Sequence, residues 1–431
     1  MKKTLLASLL LWQFSSASAV DLLQAYRDAS AFDAQLAVAR ASVAAGREKG
    51  VQGQALLLPT VAFTGDLSQV MRNPDPGGSA SGLTSSLAVT ASQPLYRRQV
   101  SLTALQADIQ VAQAELQYSL AQQDLIVRLS QAYFDVLNAQ EALLAVQAQK
   151  LAIAQQLELA KKTFEVGTST ITDTHEAQAR YDLSLAQEIA VESDLEVKKR
   201  ALETLTGKET GSLAVLRVDA QISRPEPQDI KRWISDAEKN GLAVRLQQSN
   251  TELAEREAEK AAAAHQPTLD LVARLARSSD NASTPNSSLQ SINIGLQLNV
   301  PLYQGGAINS KEREAAAQRD AARSALENAR RVASLQARQA YLGVSNGLSQ
   351  VKALEAALVS STSALDATKV GYEVGVRINN DVLNAEQQLS ATRRDLAKAR
   401  FDTLLAQVKL SAAVGALGED DLQKINAMLQ H

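Results

Sequence analysis

Two hydrophobic periods alternate along this chain. Leu102, Leu105, Ile109, Ala112, Leu116 and Leu120 step by three and four, the spacing of one helix face. Val344, Val351, Leu358, Leu365 and Tyr372 step by seven, and their counterparts Val136, Leu143, Lys150, Leu157 and Phe164 do the same, with Lys150 the one polar interruption. A seven-residue seam predicts a shallow left-handed coil against neighbouring helices. Elsewhere the period falls to two. Ile292, Ile294, Leu296, Leu298 and Val300 alternate with Asn293, Gly295, Gln297 and Asn299, and Leu83, Leu87, Val89 and Ala91 alternate with Thr84, Ser86, Thr90 and Ser92. Two further strands are predicted over 60–70 and 268–276, with Val61, Phe63, Leu67 and Leu269, Leu271, Leu275 on one face. The loops at 73–82 and 278–287 are rich in Pro, Gly, Ser and Asn, so the four strands form two hairpins.

The pattern occurs twice. Pro59-Thr60 matches Pro267-Thr268, Gln131-Ala132-Tyr133 matches Gln339-Ala340-Tyr341, Val166-Gly167 matches Val374-Gly375, Asp173 matches Asp381 and Gly207 matches Gly415, all at an offset of 208 positions. That offset is far longer than a solenoid period and marks a duplicated half. The expected division is 20–224 for the first half and 225–431 for the second. All 9 prolines lie at 59–94, 225–227 and 267–301; between them helices run free of their strongest breaker. Long helices are expected over 98–165 and 306–373, each reaching ~100 Å at helical rise. That is several times a bilayer core. Return helices over 173–206 and 381–414 stop at Gly207 and Gly415, well placed as C-caps. Because the return arms are about half as long, helices at 21–54 and 241–264 are expected to complete them. The short mixed stretches 208–240 and 419–431 are expected to form an equatorial belt.

Composition narrows the setting. Met1-Lys2-Lys3, an apolar run to Phe14 and Ala17-Ser18-Ala19 form a secretory signal over 1–19. No cysteine occurs in the 431 residues, so neither disulfides nor a lipid anchor after the cleavage site is expected. The formal charge of -3 points to no nucleic-acid partner. A half-buried sheet in a soluble protein would explain the alternating strands. An outer-membrane barrel with a wet interior explains them too, and accounts for Ser, Thr, Asn and Gln on the second face. Four strands cannot close a barrel, whereas three copies would supply twelve.

Taken together, VPLYQGG at 300–306, GYEVGVRINNDVL at 371–383, STITD at 169–173 and the Pro-Thr elements before the strands resemble the TolC family of outer-membrane channel-tunnels. The likeness spans the expected mature chain and is closest to the family's type member, not to its lipid-anchored efflux members. It implies an α+β membrane protein: a homotrimer with a twelve-stranded outer-membrane β-barrel, four strands per chain, continued by a twelve-helix periplasmic α-barrel. The implied function is a passive exit duct for efflux or type I secretion, embedded in outer-membrane lipid. The implied partners are a periplasmic adaptor (membrane fusion) protein and an inner-membrane ABC or RND-type transporter.

The resemblance also assigns residues. A periplasmic gate latch falls on Thr172, Asp173, Tyr372 and Arg377, where an arginine fork could bind a carboxylate or hydroxyl across a gap. Asp173 could equally N-cap its helix, with Glu176 completing a capping box. A pore constriction falls on Asp381 and Asn384. The second is a departure, because the family has an acid there, so one acidic ring and weakened cation preference are expected. Adaptor contact falls on Val166, Gly167, Thr168, Val374, Gly375 and Val376, although the glycines are also what a tight helix–helix turn requires. No catalytic, cofactor or metal site is expected: His175, His265 and His431 lie apart, and His175 beside Asp173 and Glu176 reads as a solvated helix start. An alternative reading is a periplasmic coiled-coil adaptor or scaffold that bridges the membranes without forming a pore.

Overall fold

The computed structural model describes residues 19–73, 79–217, 219–280 and 287–430; the signal segment, apart from its last residue, and most of both hairpin tips lie outside them. Contacts group the chain into two units. One comprises residues up to 37, 121–237 and 334 onward; the other comprises 38–120 and 238–333. Neither unit is one sequence repeat, because each draws segments from both halves.

The second unit holds the sheet. Strands β1 (Thr60–Arg72), β2 (Ala80–Tyr96), β4 (Thr268–Asp280) and β5 (Ser288–Asn299) pair antiparallel in the order β1-β2-β4-β5. The two repeats meet at β2–β4. Register aligns Val61 with Ala91, Ala273 and Ile294, and Phe63 with Val89, Leu275 and Ile292. The apolar positions of all four strands therefore share one face. The opposite face carries Thr90 between Ala62 and Arg274, with Asn293 beyond. On β1 the apolar set continues towards the hairpin tip as Leu67 and Met71, while on β5 it continues the other way as Leu296 and Leu298. All are exposed. The apolar band thus runs obliquely to the strands, as a membrane slab must cross strands tilted by ~35–45°.

Where β2 ends, Arg97 donates its Nε to Asp270 Oδ1 at 2.7 Å and its second nitrogen to the other carboxylate oxygen. Asp270 is buried, so this fork ties the chain just past β2 to β4. Beside it, α2 (Ala34–Ala55) packs on the first part of α3 (Arg98–Glu165) through small residues. Buried Leu102, Ala107 and Ala114 mark the contact stripe, whereas Leu105 and Ala112, expected on it, are exposed. The stripe shifts because Gly46 and Gly53 admit the alanines: a Cβ on Gly53 would lie 2.4 Å from the Ala107 Cβ, and one on Gly46 2.5 Å from that of Ala114. Gly53→Ala gains ~1 kcal/mol of helix propensity but overpacks, at ~1–3 kcal/mol. The expected net result is a lower thermal midpoint, and a rise would refute this contact.

In the first unit, one helix expected over 21–54 is two. Helix α1 (Leu22–Phe32) ends at Asp33, whose backbone is extended, and α2 begins at the next residue. Asp33 serves both helices: its N–H donates to Ala29 O at 2.7 Å, and its carboxylate accepts from the Leu36 N–H at 2.7 Å. Arg128 on α3 donates to both Asp33 oxygens, at 3.1 and 3.4 Å. Burial pushes the Asp33 carboxyl up, but hydrogen bonds from Arg128 and Leu36 more than offset this and hold it below its ordinary value. Its stabilisation is therefore full above the unfolded pKa of ~3.9 and is lost as pH falls through the lower folded value. Thermal melts of Asp33→Asn are expected to lose less stability than wild type between about pH 5 and 3. Equal losses would count against the assignment.

The remaining elements are α4 (Ile171–Thr206), β3 (Val215–Leu216), α5 (Ile230–Asn240), α6 (Leu242–Ala262), α7 (Ala307–Glu373), α8 (Asn379–Ala413), α9 (Glu419–Asn426) and β6 (Leu429–Gln430). Tyr133 and Tyr341, repeat counterparts, each anchor an irregular segment to a long helix. Tyr133 Oη lies 3.0 Å from Val20 O and from Ala214 O, and Tyr341 Oη donates to Gln228 O at 2.8 Å. The α4 helix stops at Gly207, with φ 68°, where the chain turns into these segments.

Candidate functional site: the two helical turns

The α3–α4 and α7–α8 turns share one hydrogen-bond plan. In the first, Gly167 N–H donates to Phe164 O, while Thr168 and Ser169 N–H both donate to Thr163 O. In the second, Gly375 N–H donates to Tyr372 O, while Val376 and Arg377 N–H both donate to Gly371 O. Helix C-termini leave carbonyls without partners, and this arrangement satisfies them in a Schellman-like closure. It needs a left-handed residue, supplied by Gly167 at φ 76° and Gly375 at φ 80°. Any side chain there would strain the backbone even though space is open. The same closure pushes valines outward: Val166, Val374 and Val376 are 73%, 68% and 79% exposed. Thr168 differs, since its hydroxyl donates to Thr163 O at 3.0 Å.

The repeated aspartates have diverged. Asp173 is not the N-cap of α4, and Glu176 completes no box. Thr170 is the N-cap, and Asp173, three residues on, returns the bond: Asp173 N–H donates to Thr170 Oγ1 at 3.3 Å, and Thr170 N–H to Asp173 Oδ2 at 3.1 Å. Any four-residue reading that starts at Asp173 is displaced by the threonine three positions earlier. At the second turn Ile378 occupies the cap position and has no side-chain bond to give. Asp381 is thereby released from capping and faces Arg377, 3.6 Å away.

Within one chain the expected latch residues are not brought together. Arg377 pairs with Asp381, Asp173 with Thr170, and Tyr372 packs against the apolar cluster that Leu365, Val382 and Leu389 form. Among the described residues neither Arg377 nor Tyr372 bonds Thr172 or Asp173. Other links join the helices below the turns. Arg180 on α4 donates to Asn384 Oδ1 at 3.0 Å and to Gln387 Oε1 at 2.8 Å on α8. Lys369 on α7 reaches Glu386 at 2.7 Å, a buried carboxylate whose repeat counterpart is Gln178. Lys150, the break in the seven-residue seam, pairs with Glu188 on α4. Ile153, Leu157, Ala160, Ala177 and Leu383 form the apolar cluster between them.

Sequence reasoning passed over Arg180, Glu386 and Gln387, because they carry no motif and meet only through the packing of α4 and α7 on α8. Asn379, the first residue of α8, was also missed. Its amide is buried with neither atom hydrogen-bonded to another described residue, an arrangement that costs ~1–3 kcal/mol.

The family model described as "Outer membrane efflux protein" matches residues 25–208 and again 233–416, once per repeat. The outer membrane protein TolC of Vibrio cholerae is 34% identical, covering 96% of this chain and 95% of that protein. The proteases secretion protein PrtF of Dickeya chrysanthemi is 30% identical, covering 100% and 95%. Among solved structures, the outer membrane protein VceC from Vibrio cholerae superposes with a TM-score of 0.79 at 17% identity, covering 91% of this chain and 96% of that one.

Proposed function

This chain belongs to the outer membrane efflux protein family, and we propose that three copies form an exit duct opened at its periplasmic tip by an adaptor and an inner-membrane transporter. The observation that carries the reading is the sheet: four strands share an apolar face and leave β1 and β5 as open edges. Open edges and exposed apolar faces are unstable in water, whereas copies joined edge to edge place that face in lipid. A scaffold without a pore would leave both unexplained. Each repeat half, 20–224 and 225–431, would contribute one hairpin of strands and one pair of long helices.

The tip then acts by position and charge and catalyses nothing. Thr172, Asp173, Tyr372 and Arg377 are assigned to a latch between the inner and outer helix pairs of the assembled tip; within the single chain they hold other partners. Asp381 and Asn384 are assigned to the constriction. Val166, Gly167, Thr168, Val374, Gly375 and Val376 are assigned to the adaptor contact. The names of the relatives support both efflux and protein secretion as duties of this duct. Purification from outer membranes should give a heat-modifiable trimer that conducts ions in a planar bilayer; a soluble, non-conducting protein would overturn the reading. Deleting the gene and measuring drug susceptibility and the secretome together separates the two duties.

A further inference from the structure

The sequence places one acid, Asp381, and one amide, Asn384, a turn apart at the start of α8. The structure sets an arginine against Asn384. Arg180 reaches from α4 to α8 and spreads its fork over Asn384 Oδ1 and Gln387 Oε1, at 3.0 and 2.8 Å. These acceptors lie three residues apart, one above the other on the same helix face. Both are neutral, so they hold the guanidinium without cancelling its charge. Asp381 lies one turn from Asn384 on that face and already has Arg377 at 3.6 Å. Around this patch Arg377 and Asp381 offset one another, and among the described residues Arg180 forms no ion pair of its own, its fork being taken by the two amides.

We propose that Arg180 staples the α3–α4 hairpin to α8 through Asn384 and Gln387, and that its charge, not cancelled by these two amides, turns the ion preference of the tip away from cations. The inference rests on the duct reading above. Its logic is that amides at 384 and 387 supply hydrogen bonds without supplying charge. An aspartate at 384 would keep the staple and neutralise it. A glutamine at 180 would remove the charge, and a lysine at 180 would keep the charge but lose the planar fork.

These variants separate the two roles in the full-length protein. In a planar bilayer under a potassium chloride gradient, R180Q and N384D should both raise the potassium-to-chloride permeability ratio by about twofold or more. R180K should leave that ratio at the wild-type value. Hydrogen exchange over residues 171–190 should be faster in R180Q and R180K, which lose the fork, and no faster in N384D. A wild-type reversal potential in R180Q overturns the charge role, and wild-type exchange in R180K overturns the staple. Should wild-type protein conduct nothing, the duct reading and the charge role fall with it, while exchange still decides the staple.

Discussion

Truncating Tyr133 to alanine is expected to destabilise the protein by ~3–5 kcal/mol, the range for deleting a large buried aromatic. The ring is completely buried, meets Phe134 edge-on with centroids 6.2 Å apart, and Phe134 in turn stacks on Phe401 at 5.9 Å. Burial, and to a lesser extent the charge of Asp21, push the phenol well above its ordinary ionisation range. It therefore stays a hydrogen-bond donor at every working pH, held between Val20 O and Ala214 O. Val20 O still accepts from Ala214 N–H without it, so Tyr133→Phe should cost only ~1 kcal/mol. The repeat provides its own control. Tyr341 makes the same kind of bond to Gln228 O but is only half-buried, so Tyr341→Ala should cost ~1–2 kcal/mol. Urea unfolding monitored by circular dichroism reads all three; equal losses at 133 and 341 would mean that the buried ring is not the anchor.

These tyrosines mark what was legible in the sequence. Their positions at the same offset revealed the duplication, yet nothing in Gln131-Ala132-Tyr133 reveals that the hydroxyl captures a carbonyl 81 residues away. The long helices could be read because proline is confined to three short regions and the seven-residue seam continues past Lys150. The strands could be read because alternation survives even where Arg277 and Gln290 interrupt the apolar face, and register then places them side by side. The break at Asp33 could not, since a lone aspartate in an alanine-rich run resembles any solvated helix position until Arg128 is seen across from it. The tip was legible as geometry but not as pairing within one chain. Paired glycines announce turns, but whether Arg377 meets Thr172 or Asp381 depends on which residue caps α8, and Ile378 in place of Thr170 decided it.

Val376→Asp is expected to weaken adaptor engagement by about a hundredfold or more while leaving trimer assembly and bilayer conductance intact. The glycine-closed turns present Val166, Val374 and Val376 to solvent, so a charge at 376 costs the isolated protein little. Bound to a partner, a buried valine contributes ~1.5–3 kcal/mol. An aspartate forfeits that gain and leaves an unpaired charge in the contact, at a further ~2–5 kcal/mol. Even the low end of the sum exceeds the ~2.7 kcal/mol that corresponds to a hundredfold change in affinity. Thr168→Asp should do less. Thr168 already turns its hydroxyl inward to Thr163 O, and its turn retains only Val166 as an outward valine, so the second turn is expected to carry more of the contact. Crosslinking from Thr168→Cys and Val376→Cys to an adaptor, with drug susceptibility of cells carrying Val376→Asp, tests this directly. Full resistance together with undiminished crosslinking at neighbouring positions would show that the adaptor docks elsewhere. Loss of resistance with normal conductance would show that Val376 couples the duct to its transporter separately from the latch.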